Sequence, residues 1–333
     1  MEKSKKFIAI TSGDMGSVSN VITLKAYLKL RYTKNKFFLI SDANYVEKIV
    51  QNFKLNIKIK KIDNIEELED DFHLSLTVLH ITNNLNFELG KKNKDNAIFA
   101  INSLDSAILL TKLNKISGIV TNPLDKSLVA LSINNFLGHT EYLANEFEVN
   151  KYGMMFMCPF NNTRGMLITS HIPLSKVCES INENLIIEKA LLLNSFLNKY
   201  KKNPKILLGS LNPHAGENGL IGCEEINIIN NARLKLIHAG IDISLPYPND
   251  SIFYLYKEKK YDSILSFYHD SFLSGFKSLF MDNGVNVTIG LPIIRASVDH
   301  GTAFDKANDF QNAKESSLVN AIIMAKILTE GII

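Results

Sequence analysis

Cysteine is scarce in this chain. Only Cys158, Cys178 and Cys223 occur. They form no Cys-x-x-Cys pair and, being three, no complete disulfide framework, which points to a reducing compartment. Each is expected to act as a small buried filler. Excess charge is scarce too. The formal net charge is +3 over 333 residues, so neither nucleic acid nor an acidic membrane surface is expected as a partner. No run of about 18 apolar residues exists, which excludes a membrane-spanning helix. The segment MEKSKKFIAIT at residues 1–11 is basic, but its apolar stretch is too short for a signal peptide. The expected location is therefore the cytoplasm. The common nucleotide and hydrolase signatures are missing as well: there is no G-x-G-x-x-G, G-x-x-x-x-G-K-[ST], H-E-x-x-H or G-x-S-x-G. A bound nicotinamide dinucleotide would not rest on the usual Rossmann fingerprint.

What is present is a chain of ordinary globular composition, long enough for one large α/β unit or two lobes with a core each. Short apolar runs with little polar alternation read as strands covered on both faces. They fall at residues 7–11, 37–41, 76–81, 116–121, 154–157, 166–169, 206–211, 264–267 and 285–290. Helical patterns lie between many of them, clearest at residues 18–32, 104–115, 185–201, 224–239 and 315–329. Alternation of this kind predicts mainly parallel sheets flanked by helices. The runs at 154–157 and 166–169 are close enough to pair as a hairpin. Residues 54–71 are charged and weakly patterned, and read as a solvated surface segment. No linker, repeat or low-complexity block divides the chain, so two lobes would be interwoven, with the chain passing between them more than once.

Chemically capable residues gather after predicted strands, where open α/β sheets bind ligands. His139 and Thr140 stand where a loop enters a helix; Thr140 reads as its cap, and His139 is placed to meet an anion. His171, His214 and His269 each follow a strand. Singly, each reads as a hydrogen-bonded loop histidine. Together, three neutral imidazoles from three strand ends suit a divalent metal with an open position. Asp270 follows His269 and can act as acid or base. Lys277, Asn286 and Arg295 can hold a phosphate and a carboxylate.

At these residues the sequence resembles the 4-hydroxythreonine-4-phosphate dehydrogenase family of vitamin B6 biosynthesis. The blocks that carry the resemblance are VTNPLDK (120–126), GHTEYLA (138–144), TSHIPLSKV (169–177), LNPHAGENG (211–219) with GCEE (222–225), LPYPNDSIF (245–253) and the long stretch at 267–307. The resemblance implies a two-lobed α/β/α subunit of the isocitrate and isopropylmalate dehydrogenase type. It implies a homodimer with the active site in a cleft near the subunit interface. It puts the metal on His171, His214 and His269, the last from the partner subunit, and substrate contacts on His139, Thr140, Lys277, Asn286 and Arg295. Asp250 and Asp270 would transfer protons or orient groups. The implied reaction oxidises 4-phosphooxy-L-threonine with NAD or NADP and one divalent ion, Zn, Mg or Co, to a β-keto acid that decarboxylates to 3-amino-2-oxopropyl phosphate. Rival readings are a paralogue acting on 4-phospho-threonate or 4-phospho-erythronate, a metal-dependent decarboxylase or aldolase without redox chemistry, and a metal-binding protein that has lost redox activity. The last rests on one departure. Where the family has a loop like GDPAGIGPE, residues 13–20 read GDMGSVSN, keeping Gly13 and Asp14 but losing the prolines and the closing acid.

Overall fold

The computed structural model describes residues 7–83, 85–133, 136–258 and 260–332. The basic tip, residues 1–6, lies outside them. Twelve strands are found among the described residues: β1 Ile8–Thr11, β2 Phe37–Ser41, β3 Ile59–Ile62, β4 Leu76–His80, β5 Gly118–Thr121, β6 Gly153–Met157, β7 Arg164–Leu167, β8 Lys205–Leu208, β9 Asp242–Ile243, β10 Ser263–Ser266, β11 Val285–Ile289 and β12 Ile294–Ser297. The chain is a mixed α/β fold and divides into two compact units. The first is Met1–Glu148 with Leu291–Glu330; the second is Val149–Gly290 with Gly331–Ile333.

The first unit orders its strands β3-β4-β2-β1-β5-β12, and every pairing is parallel. Its central strands β1, β2 and β5 are buried at every position because helices cover both faces. Ile8, Ala9 and Ile10 of β1 and Phe38, Leu39 and Ile40 of β2 are fully buried. Side-chain caps fix where the helices begin. Asp42 accepts from the amides of Asn44 and Tyr45 ahead of helix Ala43–Asn52, and Asn93 accepts from Asp95 N ahead of helix Lys94–Lys112. The latter starts ten residues before the apolar pattern at 104–115, because Lys94, Asp95 and Asn96 hide its first turn. Residues 54–71 are not merely a solvated segment: they contain β3. Its sequence IKKI is an edge strand whose Lys60 pairs with Asp71 at 2.9 Å and with Glu69. Charge on an edge strand blocks further pairing and also masks the strand pattern.

The second unit orders its strands β11-β6-β7-β10-β8-β9. β11–β6 and β6–β7 are antiparallel, so the expected hairpin forms, and the remaining pairs are parallel. Its core gathers Phe156, Leu167, Leu207, Ile264, Phe272 and Phe276. Gly165 decides how helix His269–Phe280 seats on β7. A Cβ there would stand 2.3 Å from the Phe272 ring, so any larger residue would lift the helix off the sheet. Of the cysteines only Cys158 is buried; Cys178 and Cys223 are free and exposed, on the outer side of a short helix and in a turn, where no core needs filling. No described helix is long and apolar enough to cross a membrane.

Candidate active site

The parallel strands of the first unit end at a cavity of about 200 Å³ that has His139, Lys126, Thr121, Asn122 and Arg295 in its lining. Arg295 lies on β12 and is 4% exposed. Its Nη2 donates to Thr121 Oγ1 at 2.7 Å, and its Nη1 donates to Thr140 Oγ1 at 3.3 Å. Thr140 is thus not the helix cap expected from the sequence. The cap position belongs to Gly138, and Thr140 lies within helix His139–Glu146, turned to the guanidinium. Burial pushes Arg295 down to about 10, with Glu141 opposing, so it remains a cation at neutral pH. His139 is pushed well below its ordinary value by burial, then by Arg295 and Lys126. It is therefore a neutral imidazole beside a fixed positive charge. This suits an anion: the guanidinium supplies charge, the imidazole an N–H, and the helix N-terminus further donors. Lys126 was contained in the VTNPLDK block but not singled out. Its position one residue past the Asp125 helix cap at a strand end was the available signal.

The departing loop backs onto this cavity. Gly13 has φ +63°, and a Cβ on it would stand 2.5 Å from the Pro123 carbonyl, so only glycine fits. Asp14 N donates to that carbonyl at 3.0 Å. The Asp14 carboxylate accepts from Gly16 N at 3.0 Å but is wholly buried, and Oδ2 has no partner among the described residues. Desolvation raises its pKa to about 6. The Ser17 and Ser19 hydroxyls meet at 2.7 Å, and Ser19 Oγ donates to Pro123 O at 3.2 Å. Serine hydroxyls thus knit a loop that lacks the family's prolines.

In the second unit, a cavity of about 280 Å³ opens at the carboxyl ends of β7 and β10, with Thr169, His171, Tyr268, His269 and Asp270 in its lining. The His171 and His269 rings are 5.8 Å apart. His269 Nδ1 and Asp270 Oδ1 are 2.6 Å apart. With the carboxylate accepting, the proton sits on Nδ1 and Nε2 is left as a donor to a metal. His214 repeats this pairing, with Nδ1 3.3 Å from Glu217 Oε2. It stands in a turn where His214, Ala215, Gly216, Glu217 and Asn218 all have positive φ, a conformation that costs non-glycine residues roughly 1 kcal/mol each. Glu225 braces that turn. It is 2% exposed, and its Oε1 accepts from Leu211 N at 2.9 Å and Asn212 N at 2.8 Å, while Oε2 accepts from Asn212 Nδ2 at 2.8 Å. Sequence reasoning did not single out Glu225; its place in a π-helical turn Glu225–Ile229 gives no signal in the residue pattern.

The structure therefore brings His139, Thr140 and Arg295 together in one unit, and His171, His269 and Asp270 in the other. His214 is absent from the lining of the second cavity, and no three His, Cys, Asp or Glu among the described residues are grouped closely enough to hold a metal. Asp250 is exposed in the turn before helix Ile252–Glu258. Lys277, on helix His269–Phe280, and Asn286, on β11, are half-buried in the second unit.

Fold and pockets define a two-unit α/β protein with cavities at its strand ends, one cationic and one rich in imidazole. The profile of the family described as pyridoxal phosphate biosynthetic protein PdxA matches residues 33–325, and the chain belongs to that family. A 4-hydroxythreonine-4-phosphate dehydrogenase of Neisseria meningitidis serogroup B is 36% identical over 330 residues, 97% of this chain and 98% of that protein. One of Sulfurihydrogenibium is 34% identical over 96% of this chain and 98% of its own. The crystal structure of the Klebsiella pneumoniae enzyme of that name superposes with a TM-score of 0.90 at 28% identity, covering 98% of this chain and all of that one. The Burkholderia phymatum structure gives 0.84 at 30% identity, covering 97% and 98%.

Proposed function

We propose that this protein oxidises 4-phosphooxy-L-threonine with NAD or NADP and a divalent metal, yielding a β-keto acid that loses CO₂ to give 3-amino-2-oxopropyl phosphate in pyridoxal phosphate biosynthesis. The observation that carries this reading is the cavity of the first unit, where a buried guanidinium and a neutral imidazole face a space fit for one small phosphorylated acid. The names borne by full-length relatives support it.

Arg295, His139, Thr140, Lys277 and Asn286 are the substrate contacts. His171, His214 and His269 hold the metal, with the homodimer supplying His269 from the second copy. Their donor chemistry fits: two of the three carry a carboxylate on Nδ1, which leaves Nε2 free to ligate. When bound, such an ion would lower the pKa of a substrate hydroxyl and offset developing negative charge, and a nicotinamide would supply the hydride acceptor. Asp270, 2.6 Å from His269, orients that imidazole or takes the hydroxyl proton itself or through a bound water, and Asp250 transfers protons or orients groups. The enzyme works in the cytoplasm.

The test is reduced-nicotinamide absorbance with purified protein, 4-phosphooxy-L-threonine, NAD⁺ or NADP⁺ and Zn²⁺, Mg²⁺ or Co²⁺, with and without chelator. Turnover that chelator abolishes is expected. Turnover only on 4-phospho-threonate or 4-phospho-erythronate would reassign the substrate, and none on any of the three would refute the dehydrogenase.

A further inference from the structure

β7 and β10 run parallel, with Ile264 opposite Gly165 and Ser266 opposite Leu167. The imidazole cavity lies past their carboxyl ends. A second and larger cavity, about 670 Å³, lies at their amino ends in the same unit. From Arg164 to Thr169 the chain spans roughly 17 Å at strand rise, so the two cavities are separate.

Four cations line this second cavity: Arg164, Lys201, Lys257 and Lys260. The carboxylate in its lining, Asp262, is already engaged by Lys201 Nζ at 2.7 Å and by Lys205 N at 2.8 Å. Arg164 is the telling residue. It is 6% exposed. Its Nε donates to the Asp262 carbonyl at 2.7 Å, yet its Nη1 is buried with no acceptor among the described residues. One buried guanidinium nitrogen without an acceptor, on a guanidinium that also meets the Tyr256 hydroxyl, costs free energy that an incoming anion would recover. The walls are aromatic: Phe253, Tyr256, Tyr261 and Phe280 each keep part of the ring out of the core. Rings of this kind, next to cations, favour a flat apolar body over a bare ion.

We propose that this cavity binds a small anion that carries an aromatic ring, at a site distinct from the one that holds the substrate. The acidic group meets Arg164, Lys257 and Lys260, and the ring packs on Tyr256 and Phe280. None of these residues belongs to the candidate active site.

Phenyl phosphate is the minimal probe, titrated calorimetrically into the full chain beside inorganic phosphate. Lys257 and Lys260 are both exposed, so the double variant Lys257→Glu, Lys260→Glu should keep its fold, checked by circular dichroism. Phenyl phosphate is expected to bind with a Kd on the order of 1 mM or tighter. Inorganic phosphate should bind about tenfold more weakly, and the double variant should weaken phenyl phosphate by about tenfold while leaving KM for the substrate unchanged. Absence of binding would overturn the proposal. So would equal binding of inorganic phosphate, which removes the ring from recognition, or affinity unchanged in the double variant, which would trace the signal to the Arg295 cavity.

Discussion

The two candidate pockets are built on opposite plans. In the first unit the key charge is buried: Arg295 is fixed by two threonine hydroxyls on an all-parallel sheet, and the imidazole beside it is held neutral. In the second unit the imidazoles stand at the surface, the side chain of His214 65% exposed and that of His269 43%, and one rides a turn of left-handed residues. A cation that must recognise an anion is preorganised and dry, because every hydrogen bond to it is worth more away from water. The proposed metal ligands are left reachable, with carboxylates beside two of them. On the proposed function, the buried cationic cavity takes one anionic end of the substrate and the exposed imidazoles take the metal.

That separation can be broken by a crossed pair of variants. Arg295→Ala should lower kcat/KM by roughly 10²–10⁴ through loss of a buried charged contact and leave bound metal unchanged by elemental analysis. His214→Ala should lose the metal and most turnover, yet still gain thermal stability from added phosphate. If either variant loses both properties, the pockets are not independent. A smaller effect sharpens the account of the turn. Glu225→Gln replaces a charged acceptor of two backbone amides, and should lower stability by about 1–3 kcal/mol and metal affinity by about tenfold, read by chemical denaturation and by metal titration. An unchanged metal affinity would mean that Glu225 braces the fold alone.

The last expected effect concerns Asp14 and is read in the pH profile of stability alone. Its folded pKa of about 6 lies above its ordinary value of 3.8, so the folded state binds the proton more tightly than the unfolded state. Stability therefore falls as pH rises from about 4 to about 6 and is level above that, a cost of roughly 2–3 kcal/mol at neutral pH. Asp14→Asn should flatten that slope in melting curves recorded across this window. A slope that persists in the variant would show that another group titrates there.

Much of the fold was legible. All nine apolar runs overlap strands, because strands covered on both faces need no polar alternation. The three that escaped had physical reasons: β3 is half lysine, β9 has two residues, and β12 carries Arg295 inside its apolar run. The candidate residues were legible one by one: His139 and His269 open helices and His171 follows β7. Their wiring was less so. The contacts His269–Asp270 and His214–Glu217 are local and follow from spacing, whereas Thr140 with Arg295 spans 155 residues, a convergence that only the folded sheet creates. Glu225 was invisible because a buried acid in a charged stretch looks like a solvated one.

The division of the chain has a consequence for synthesis. Residues 149–290 are one continuous piece, whereas the first unit is in two pieces with the second unit's sequence between them. On the ribosome, at about 5–20 residues per second, the first unit waits some seconds with β5 lacking its β12 neighbour and the anion cavity lacking Arg295. During that interval an unpaired strand edge is exposed, and a chain that terminates early anywhere in the second unit's sequence leaves the first unit without its last strand.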